Sequence, residues 1–413
     1  MTRPPGTLTK PPVAPPRPDG WLTPPVRGIG AASLFSDLGH EIPTALLPSF
    51  LTSTLGAPAA ALGLIEGVAD GLAGVAKLGG GALADDPAKR RATAVGGYTA
   101  TAVLSALIGV TSAAWQVGFL RAGAWVARGL RSPSRNALLA DAAPPEAYGR
   151  AYGFERAMDN LGAIGGPLLA LALVALVGVR EAIVLSVIPG LIAALAIVGA
   201  IRLMPRQERR SHQPLRVRIR PVLRGRLGVL MRGVGAFEIG NIAATLLILR
   251  ATEVLTPDRG HGAAVKIALG LYAGYNAAAT LASIPAGRLS DRRGPHGVLT
   301  AGAALFAAAY LILAATGAGI AVLAIGFAVA GLGIACVETA EHAAVAALAP
   351  EGIRGSAFGL LAAVQSFGNL AASAVAGVLW SVVSPAAAFI YAAAWMLIAL
   401  ALWIVPAGAG RAV

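Results

Sequence analysis

Charged residues are scarce in this chain: Asp, Glu, Lys and Arg make up only 13% of its 413 residues. Hydrophobic residues make up 56%, and the mean hydropathy is +0.70. A soluble globular protein of this size needs far more polar surface, so that class is excluded. The composition predicts an integral membrane protein embedded in a lipid bilayer.

Cysteine is nearly absent as well, because Cys336 is the single one, which excludes a disulfide within the chain. His40 and His342 each stand beside a carboxylate, but neither has a second ligand at the spacing of a metal-binding motif. The sequence contains no nucleotide-binding loop and no pair of nucleophile and base. We therefore expect no metal, no cofactor and no enzymatic activity.

Acidic residues are outnumbered by basic ones, 20 to 33, and the formal net charge is +13. A nucleic-acid-binding protein gathers such charge on one soluble face. In this chain the cations lie in loops between apolar segments, where membrane topology accounts for them. We expect no nucleic-acid partner.

Long apolar segments follow one another from Gly28 onward, and about 20 residues suffice to cross a hydrocarbon core of about 30 Å. The sequence predicts an all-α membrane protein with twelve membrane spans. We place them near residues 28–50, 58–83, 91–113, 116–139, 150–177, 181–203, 228–250, 265–287, 296–316, 318–346, 355–380 and 385–406.

The spans divide the chain into two halves. Residues 27–204 and 227–413 are each predicted to form a six-helix bundle. Between them, residues 205–226 form a predicted cytoplasmic linker, and the chain holds nine arginines from Arg202 to Arg226. Residues 1–26 contain nine prolines without apolar periodicity, which predicts a disordered cytoplasmic tail without a cleavable signal peptide.

The distribution of cations predicts the orientation of the protein. The loops on the side opposite the linker carry few cations, namely Arg180, Arg250, Arg259 and Lys266. By the positive-inside rule, the linker and both termini are therefore cytoplasmic. We expect a monomer in the cytoplasmic (inner) membrane of a prokaryote.

An internal repeat relates the two halves. Gly79 to Arg91 has the composition of a tight turn at the end of a membrane helix, with glycines, acids and then cations. Its pattern returns 206 residues later, which is half the chain length. The matched pairs are Gly81 with Gly287, Leu83 with Leu289, Asp85 with Asp291, Gly149 with Gly355, Gly153 with Gly359, and Gly162 with Gly368.

These motifs resemble those of the major facilitator superfamily over nearly the whole chain. Gly81-x-Leu-Ala-Asp85 followed by Arg90 and Arg91 resembles its signature between helices 2 and 3, and Gly287-x-Leu-Ser-Asp291-Arg292 resembles the copy between helices 8 and 9. The resemblance implies two pseudo-symmetric six-helix bundles around a cavity that opens alternately to each side. It also implies that these seven residues latch the bundles together in the outward-facing state.

The first copy departs from the family pattern. Asp86 follows the motif aspartate where the family usually has a basic residue, and Ala88 replaces a glycine. We therefore expect a weaker latch in the first half. A second motif, Gly162-x-x-x-Gly166-Pro167, resembles the helix 5 motif of the superfamily's antiporters, although close helix packing alone is an alternative reason for its glycines.

Ionisable residues inside the spans are the candidates for transport chemistry. Each costs roughly 2.5–3.5 kcal/mol at the helix centre on insertion scales, so it needs a partner, a proton or a wet cavity. The first span contains Asp37, His40 and Glu41, and the second contains Glu66 and Asp70. Four carboxyl groups on two neighbouring helices cannot all be ionised at low cost. We predict that this set of residues couples transport to protons.

Arginines mark the fourth span. Arg121, Arg128, Arg131 and Arg135 follow one another at spacings of seven, three and four residues, which places them on one helix face. We predict that the deeper pair, Arg121 and Arg128, lines the substrate cavity. For Arg131 and Arg135 we expect salt bridges to the acids of the first two spans, or a position at the cytoplasmic exit.

The second half has fewer buried charges. Its predicted cavity residues are Asn241, Tyr272, Tyr275 and Glu338. Glu338 also lies one helical turn before His342, so the two side chains could share a proton, or both could simply be solvated.

Three functions are consistent with these patterns. The first is a proton-coupled antiporter that exports a small organic molecule such as a drug or metabolite. The second is a proton-coupled symporter that imports an organic anion or zwitterion, which the arginine face of the fourth span favours. The third is a membrane sensor that does not transport. In either transporter, the partners would be a small-molecule substrate, protons and the lipid bilayer.

Overall fold

A computed structural model describes residues 20–205, 216–315 and 319–404, and all regular secondary structure in those ranges is helical. Most of the predicted tail lies outside the described residues, as does the middle of the predicted linker. The last residues of that tail belong to the first helix, which begins at Pro24. Thr23 caps this helix, because its hydroxyl accepts a hydrogen bond from the Val26 amide.

The helices described in the first half make six membrane crossings, as predicted. They are α1 (Pro24–Ser49), α2 (Ala59–Ala84), α3 (Pro87–Leu107), α4 (Ala114–Ala142), α5 (Tyr148–Val177), α6 (Val179–Leu185) and α7 (Val187–Arg202). A short π-helical turn at Phe50–Thr54 extends α1. Helices α6 and α7 form one crossing that is interrupted at Ser186.

The helices described in the second half repeat this plan. They are α8 (Ile219–Val222), α9 (Gly225–Gly240), α10 (Ala244–Arg259), α11 (His261–Arg293), α12 (Pro295–Ala314), α13 (Ile320–Leu348), α14 (Arg354–Val382) and α15 (Pro385–Ile404). Helices α9 and α10 form one crossing that is interrupted at residues 241–243. The sequence predicted an uninterrupted seventh span at 228–250, so this break is a correction.

Apolar character alone identifies nine of the crossings in the described part of the chain. The three others are α1, α2 and α4, each of which carries ionisable side chains within its span, among them Asp37, Glu66 and Arg121. Their lengths of 26, 26 and 29 residues still exceed the roughly 20 residues that a bilayer requires. Including them gives twelve crossings in two bundles of six.

Helix packing brings the two halves together along two seams. Helix α2 lies along α4 in its own half and along α14 in the other, while α5 lies along α1 in its own half and along α11 in the other. Helices α1 and α2 hardly touch each other. The sequence prediction had treated them as neighbours, and α4 instead lies between them at the level of the charged residues.

The first glycine motif lies at the seam between α2 and α14, inside a helix and not in a turn. A Cβ atom at Gly81 would lie 2.8 Å from both Gly355 O and Gly359 Cα, so only glycine lets the two backbones meet. Just beyond the helix end, Asp85 accepts hydrogen bonds from the Ser356 amide at 2.9 Å and from its hydroxyl at 2.5 Å. The turn expected from Gly79 is therefore limited to Asp85 and Asp86.

The second copy makes the equivalent contact at the other seam. Asp291 accepts hydrogen bonds from the Gly149 amide at 2.6 Å, the Arg150 amide at 3.1 Å and the Arg150 Nε at 2.8 Å. Gly287 packs directly against the Gly149 backbone. The same offset of 206 residues relates Asp85 to Asp291 and Arg150 to Ser356, so the repeat in the sequence is a symmetry of the contacts.

The two latches differ in charge. The second includes the ion pair between Asp291 and Arg150, whereas Asp85 bonds to the neutral Ser356. Around the first latch, Arg90 and Arg354 both pair with Asp141, which adds a charged contact between the halves. This contact has no counterpart in the repeat, because residue 347, the equivalent of Asp141, is an alanine.

Each of the remaining latch residues makes either a local contact or no contact among the described residues. Arg91 donates to the Pro205 carbonyl, and Arg292 is exposed. Asp86, which departs from the family pattern, caps α3 by accepting a hydrogen bond from the Ala88 amide at 2.9 Å. This residue therefore stabilises a helix start and is not simply a defect in the motif.

We predict that Gly359→Ala separates α2 from α14, because the added Cβ would lie 2.7 Å from Gly81 Cα. The distance between spin labels placed near the ends of α2 and α14 at this seam should increase, or its distribution should broaden. Gly377→Ala is the matched control, since a Cβ at Gly377 in the same helix meets open space. Identical distances in Gly359→Ala and wild type would contradict the role of the glycine contact.

Candidate functional site

A cavity of about 630 Å³ lies between the two halves. Helices α2, α4 and α5 form its wall in the first half, and α13, α14 and the break between α9 and α10 form its wall in the second. The wall is unusually rich in ionisable side chains for a membrane protein. They are Asp70, Lys77, Arg128, Arg131, Arg135, Arg156, Asp159, Glu238, Glu338 and His342.

Arg121 of α4 makes its polar contacts outside this cavity. Its Nε and NH2 groups lie 3.0 and 3.1 Å from the two carboxylate oxygens of Glu66, and its NH1 group donates to the Thr44 hydroxyl. The side chain is 1% exposed and does not line the cavity. The prediction of a cavity role for Arg121 is therefore wrong, because Glu66 of α2 and Thr44 of α1 hold its guanidinium outside the cavity lining.

Arg128 lies seven residues after Arg121 on the same face of α4, and its side chain lines the cavity. Its NH2 group lies 3.2 Å from Asp37 Oδ1, and its NH1 group contacts His40 Nε2. Asp37 and His40 are buried, whereas the Arg128 side chain is 30% exposed. The guanidinium therefore joins the buried polar groups of α1 to the solvent-accessible cavity.

The carboxylates predicted to form one proton-carrying group are held apart. Asp37 pairs with Arg128 and Glu66 pairs with Arg121, so each buried charge is compensated by α4. Glu41 lies 3.3 Å from His40 Nε2, and Asp70 accepts a hydrogen bond from the Trp125 indole at 2.6 Å. Each of the four acids thus contacts a different partner.

Trp125 connects these groups and was missed in the sequence. Arg121 lies over its ring at 3.5 Å from the centroid, Arg128 approaches at 5.7 Å, and the His40 ring is 5.4 Å away. The residue stands four positions after Arg121 and three before Arg128, so helical spacing alone could have placed it on the arginine face.

A second ionic cluster lies where α4 meets α5. Arg135 contacts Glu155 at 2.7 Å and Asp159 at 3.3 Å, and Arg156 contacts the same two acids at 2.8 and 3.4 Å. Arg156 also lies 3.9 Å from Glu338 of the other half. The salt bridges expected for Arg135 exist, but its partners belong to α5 and not to the first two spans.

Two cations of the cavity wall form no ion pair with any described residue. Arg131 is 3% exposed, donates to the Ser36 hydroxyl at 2.6 Å and lies over the Tyr98 ring at 3.9 Å. Lys77 of α2 reaches across the seam to the Ser366 hydroxyl of α14. Their neutral partners leave net positive charge on the first-half wall.

The sequence interpretation overlooked Lys77, although a signal was present. The chain has four lysines, and Lys77 is the one that falls in the interior of a predicted span, six residues before its end. An ionisable residue at such a depth needs a partner or a wet cavity. The sequence interpretation considered only Glu66 and Asp70 on this helix, as carboxyl groups for proton coupling.

The second-half wall carries carboxylates with neutral partners. Glu238 is 3% exposed and accepts a hydrogen bond from the Asn241 amide at 3.0 Å. Behind the wall, Glu341 is completely buried and accepts from Gln365 at 2.5 Å. The described residues place no lysine or arginine in ion-pair contact with either acid. Among the described residues, the second half still buries fewer charged side chains than the first.

Several predicted cavity residues have other positions. Tyr272 and Tyr275 stack on each other with centroids 5.7 Å apart, and neither lines the cavity. His342 Nδ1 bonds to the backbone carbonyl of Glu338 at 2.7 Å. The two side chains therefore do not share a proton directly in this structure. Asn241 and Glu338 line the cavity as predicted.

The helix 5 glycines bring α5 against the charged part of α1. A Cβ atom at Gly162 would lie 2.6 Å from the Leu34 carbonyl oxygen and 2.9 Å from Asp37 Cβ, and Gly166 packs directly on Glu41. Pro167 follows within an uninterrupted α5. The motif thus fixes the backbone distance between α5 and the two acids of α1.

Comparison with known proteins identifies close similarity in sequence and fold. The profile of the Major Facilitator Superfamily matches residues 29–255 and 251–412. An uncharacterised MFS-type transporter of Methanocaldococcus jannaschii is 27% identical over 379 residues, which cover 88% of this chain and 90% of that protein. An uncharacterised protein of Mycobacterium tuberculosis is 28% identical over 358 residues, covering 86% of each chain.

Two solved structures share the fold at low sequence identity. The human organic anion transporter MFSD10 has a TM-score of 0.73 at 16% identity, covering 92% of this chain and 99% of its own. A bacterial homologue of the iron transporter ferroportin, in an outward-facing state, has a TM-score of 0.73 at 15% identity, covering 92% and 98%.

We predict that Glu66→Gln destabilises the protein by about 2 kcal/mol, because the buried Arg121 guanidinium loses its charged acceptor. Denaturant unfolding of the purified protein in detergent measures this change. Glu181→Gln is the control, since Glu181 is exposed in the first turn of α6. The double variant Glu66→Gln/Arg121→Gln should recover part of the loss. Equal stability of Glu66→Gln and wild type would contradict a structural ion pair.

Proposed function

The chain belongs to the Major Facilitator Superfamily and is a membrane transporter and not an enzyme, and we propose that it carries a small organic anion or zwitterion together with protons. One observation carries this proposal: Lys77 and Arg131 line the central cavity, and the described residues offer neither of them a carboxylate partner. Unpaired cations in a membrane protein need a compensating charge. An anionic substrate group supplies it.

The arrangement of the cavity defines how such a substrate would bind. The cationic wall belongs to α2 and α4 of the first half, and the acidic wall, with Glu238 and Glu338, belongs to the second. A carboxylate, sulfonate or phosphate group of the substrate would bind near Lys77 and Arg131, and an amino group of a zwitterion would face the acids. The cavity volume of about 630 Å³ suits a small organic molecule.

Glu238 is the carboxyl group best placed to couple this binding to protons. It lines the cavity, is nearly fully buried and has a neutral amide as its described hydrogen-bond partner. A buried carboxylate without a cation is costly, and binding a proton removes that cost. Asp37 and Glu66 lack this property, because Arg128 and Arg121 already compensate their charges.

The sign of the substrate charge predicts the direction of coupling. Protonation of Glu238 removes a negative charge from the cavity, so it strengthens the binding of an anion and weakens that of a cation. Coupling free energies are reciprocal, so the anion also favours proton binding. This geometry supports cotransport of proton and anion in one direction, which is the symport alternative from the sequence.

Antiport, the first interpretation of the sequence, stays as the second candidate for one reason. The helix 5 motif that resembles that of the superfamily's antiporters packs against Asp37 and Glu41. A cationic substrate that displaced protons would fit this mode. The human fold neighbour is an organic anion transporter, but a likeness at 16% identity concerns the fold, so our proposal rests on the charges of the cavity.

We predict that Lys77→Met weakens binding of the transported anion at least tenfold, the loss expected for removing one charge-assisted hydrogen bond worth about 1.5–3 kcal/mol. A thermal-shift screen of organic anions, zwitterions and cations on the wild type identifies a ligand, and titration calorimetry then measures affinity. Lys89→Met is the matched control, because Lys89 is exposed outside the cavity. A screen in which only cations stabilise the protein would refute the anion proposal.

We predict that Glu238→Gln uncouples transport from the proton gradient. In proteoliposomes, a gradient that is acid outside should drive uptake by the wild type but not by the variant, whereas exchange of labelled for unlabelled substrate continues. Uptake driven by a gradient that is acid inside would instead indicate antiport. Asp70→Asn is the comparison variant, because Asp70 lines the same cavity but bonds to Trp125. Gradient-driven uptake by Glu238→Gln at the wild-type rate would exclude this residue as the proton carrier.

A further inference from the structure

A small void lies behind His40, on the side of α1 that faces away from the central cavity. It offers about 10 Å³ to the centre of a water molecule. Helices α1, α3 and the α6–α7 junction surround it. The lining residues are Ser36, Gly39, His40, Tyr98, Thr101, Ala102, Ser105, Ser186 and Gly190.

Small residues create this void by bringing three helix backbones together. A Cβ atom at Gly39 would lie 2.9 Å from the Gly190 amide nitrogen and 3.1 Å from the Ser186 carbonyl oxygen. A Cβ at Gly190 would meet Ala102 of α3 at about the same close range. The backbones are therefore fixed in contact around a space that the short side chains do not fill.

Four polar atoms that face this space have no hydrogen-bond partner among the described residues. They are His40 Nδ1, Tyr98 Oη, Ser105 Oγ and Ser186 Oγ. Their residues are between 2% and 5% exposed, so bulk solvent does not satisfy them. A buried polar atom without a hydrogen bond costs free energy and is rare in folded proteins. Four such atoms around one void therefore indicate a bound molecule.

We propose that this void is a binding site for one water molecule, which these four groups hold. The volume matches the roughly 10–15 Å³ that one water requires by this measure. A water molecule donates two hydrogen bonds and accepts two, so one molecule has enough donors and acceptors for all four groups. The site would join α1, α3 and the α6–α7 junction through a shared ligand.

The chemistry of the lining favours water over an ion. The described residues that line the void include no carboxylate, and the Arg131 guanidinium lies over the Tyr98 ring at 3.9 Å, which disfavours a metal cation. Hydroxyl groups can both donate and accept, which matches the two donors and two acceptors of a water molecule. The small volume also fits water better than chloride.

The bound water would position His40 and, through it, Arg128. Arg128 donates to His40 Nε2, so the neutral ring carries its hydrogen on Nδ1, the nitrogen that faces the void. Asp37 Oδ1 lies 3.4 Å from Nδ1 without forming a hydrogen bond. An acceptor in the void would fix the imidazole orientation that presents Nε2 to the cavity-lining arginine.

Structure determination at a resolution that shows ordered water tests the proposal directly. We expect one density peak within hydrogen-bond distance of His40 Nδ1 and at least two of the three hydroxyl oxygens. The peak should not change when chloride is replaced by bromide or sodium by rubidium. An anomalous bromide or rubidium signal at this position would make it an ion site, and an empty void would refute occupancy.

A double-mutant cycle tests whether one ligand joins the groups. Ser105→Ala and Ser186→Ala should each lower the melting temperature by about 3 °C, and the double variant should lose clearly less than the sum, because the first change already weakens the shared water. Thr252→Val is the control for a buried hydroxyl that bonds to its own helix at Ile248 O. Additive losses would contradict a shared ligand.

A readout specific to His40 separates positioning from general stability. The nitrogen chemical shifts of the labelled imidazole should show one Nδ1-protonated tautomer in the wild type and a mixture in Tyr98→Phe/Ser105→Ala. The Thr252→Val control should keep the wild-type spectrum. An unchanged tautomer in the double variant would show that the void does not orient His40.

Discussion

Charge buried in a membrane must be compensated, and this constraint determines how the first half of the protein is assembled. Helix α4 carries four arginines on one face, and three of them meet carboxylates that come from α1, α2 and α5. Each of these three helices supplies an acceptor to a different arginine. The fourth cation, Arg131, has only neutral partners among the described residues and faces the cavity. The ionic partners that stabilise the bundle therefore also leave a specific positive charge available to a ligand.

Glycine contacts and aspartate contacts act together where the two halves meet. Gly81 and Gly287 let helix backbones from opposite halves touch, and that proximity brings Asp85 and Asp291 within reach of amide groups at the start of α14 and α5. A carboxylate at a helix start satisfies free amide groups and interacts favourably with the helix dipole. At each seam, the glycine contact and the aspartate hydrogen bonds depend on the same close approach of two helices. They would therefore form and break together.

The sequence indicated which residues carry charge inside the membrane, but not how they are paired. The positions of Asp37, Glu66 and the α4 arginines followed from periodicity, and the predicted face of α4 is present. Their partners depended on which helices are neighbours, and α4 lies between α1 and α2. Tyr272 and Tyr275 were predicted to line the cavity, because their spacing does not show that they stack on each other. The depth of Lys77 in its span and the helical spacing of Trp125 make both residues recognisable. The sequence interpretation missed them because it assigned the chemistry of α2 to its acidic residues.

The resemblance to the superfamily implied the contact between each glycine motif and the opposite half. The sequence by itself determined the membrane class, the two repeated halves and most helix positions. These properties depend on local composition and on a repeat that can be read along the chain. Only the tertiary structure decided that Asp37 and Glu66 are ion-paired, that Glu238 has a neutral partner, and that four unpaired polar atoms surround one void. The physical reason is that the cost of a buried polar group depends on which atoms lie within a few ångströms of it, and those atoms come from residues far apart in the chain.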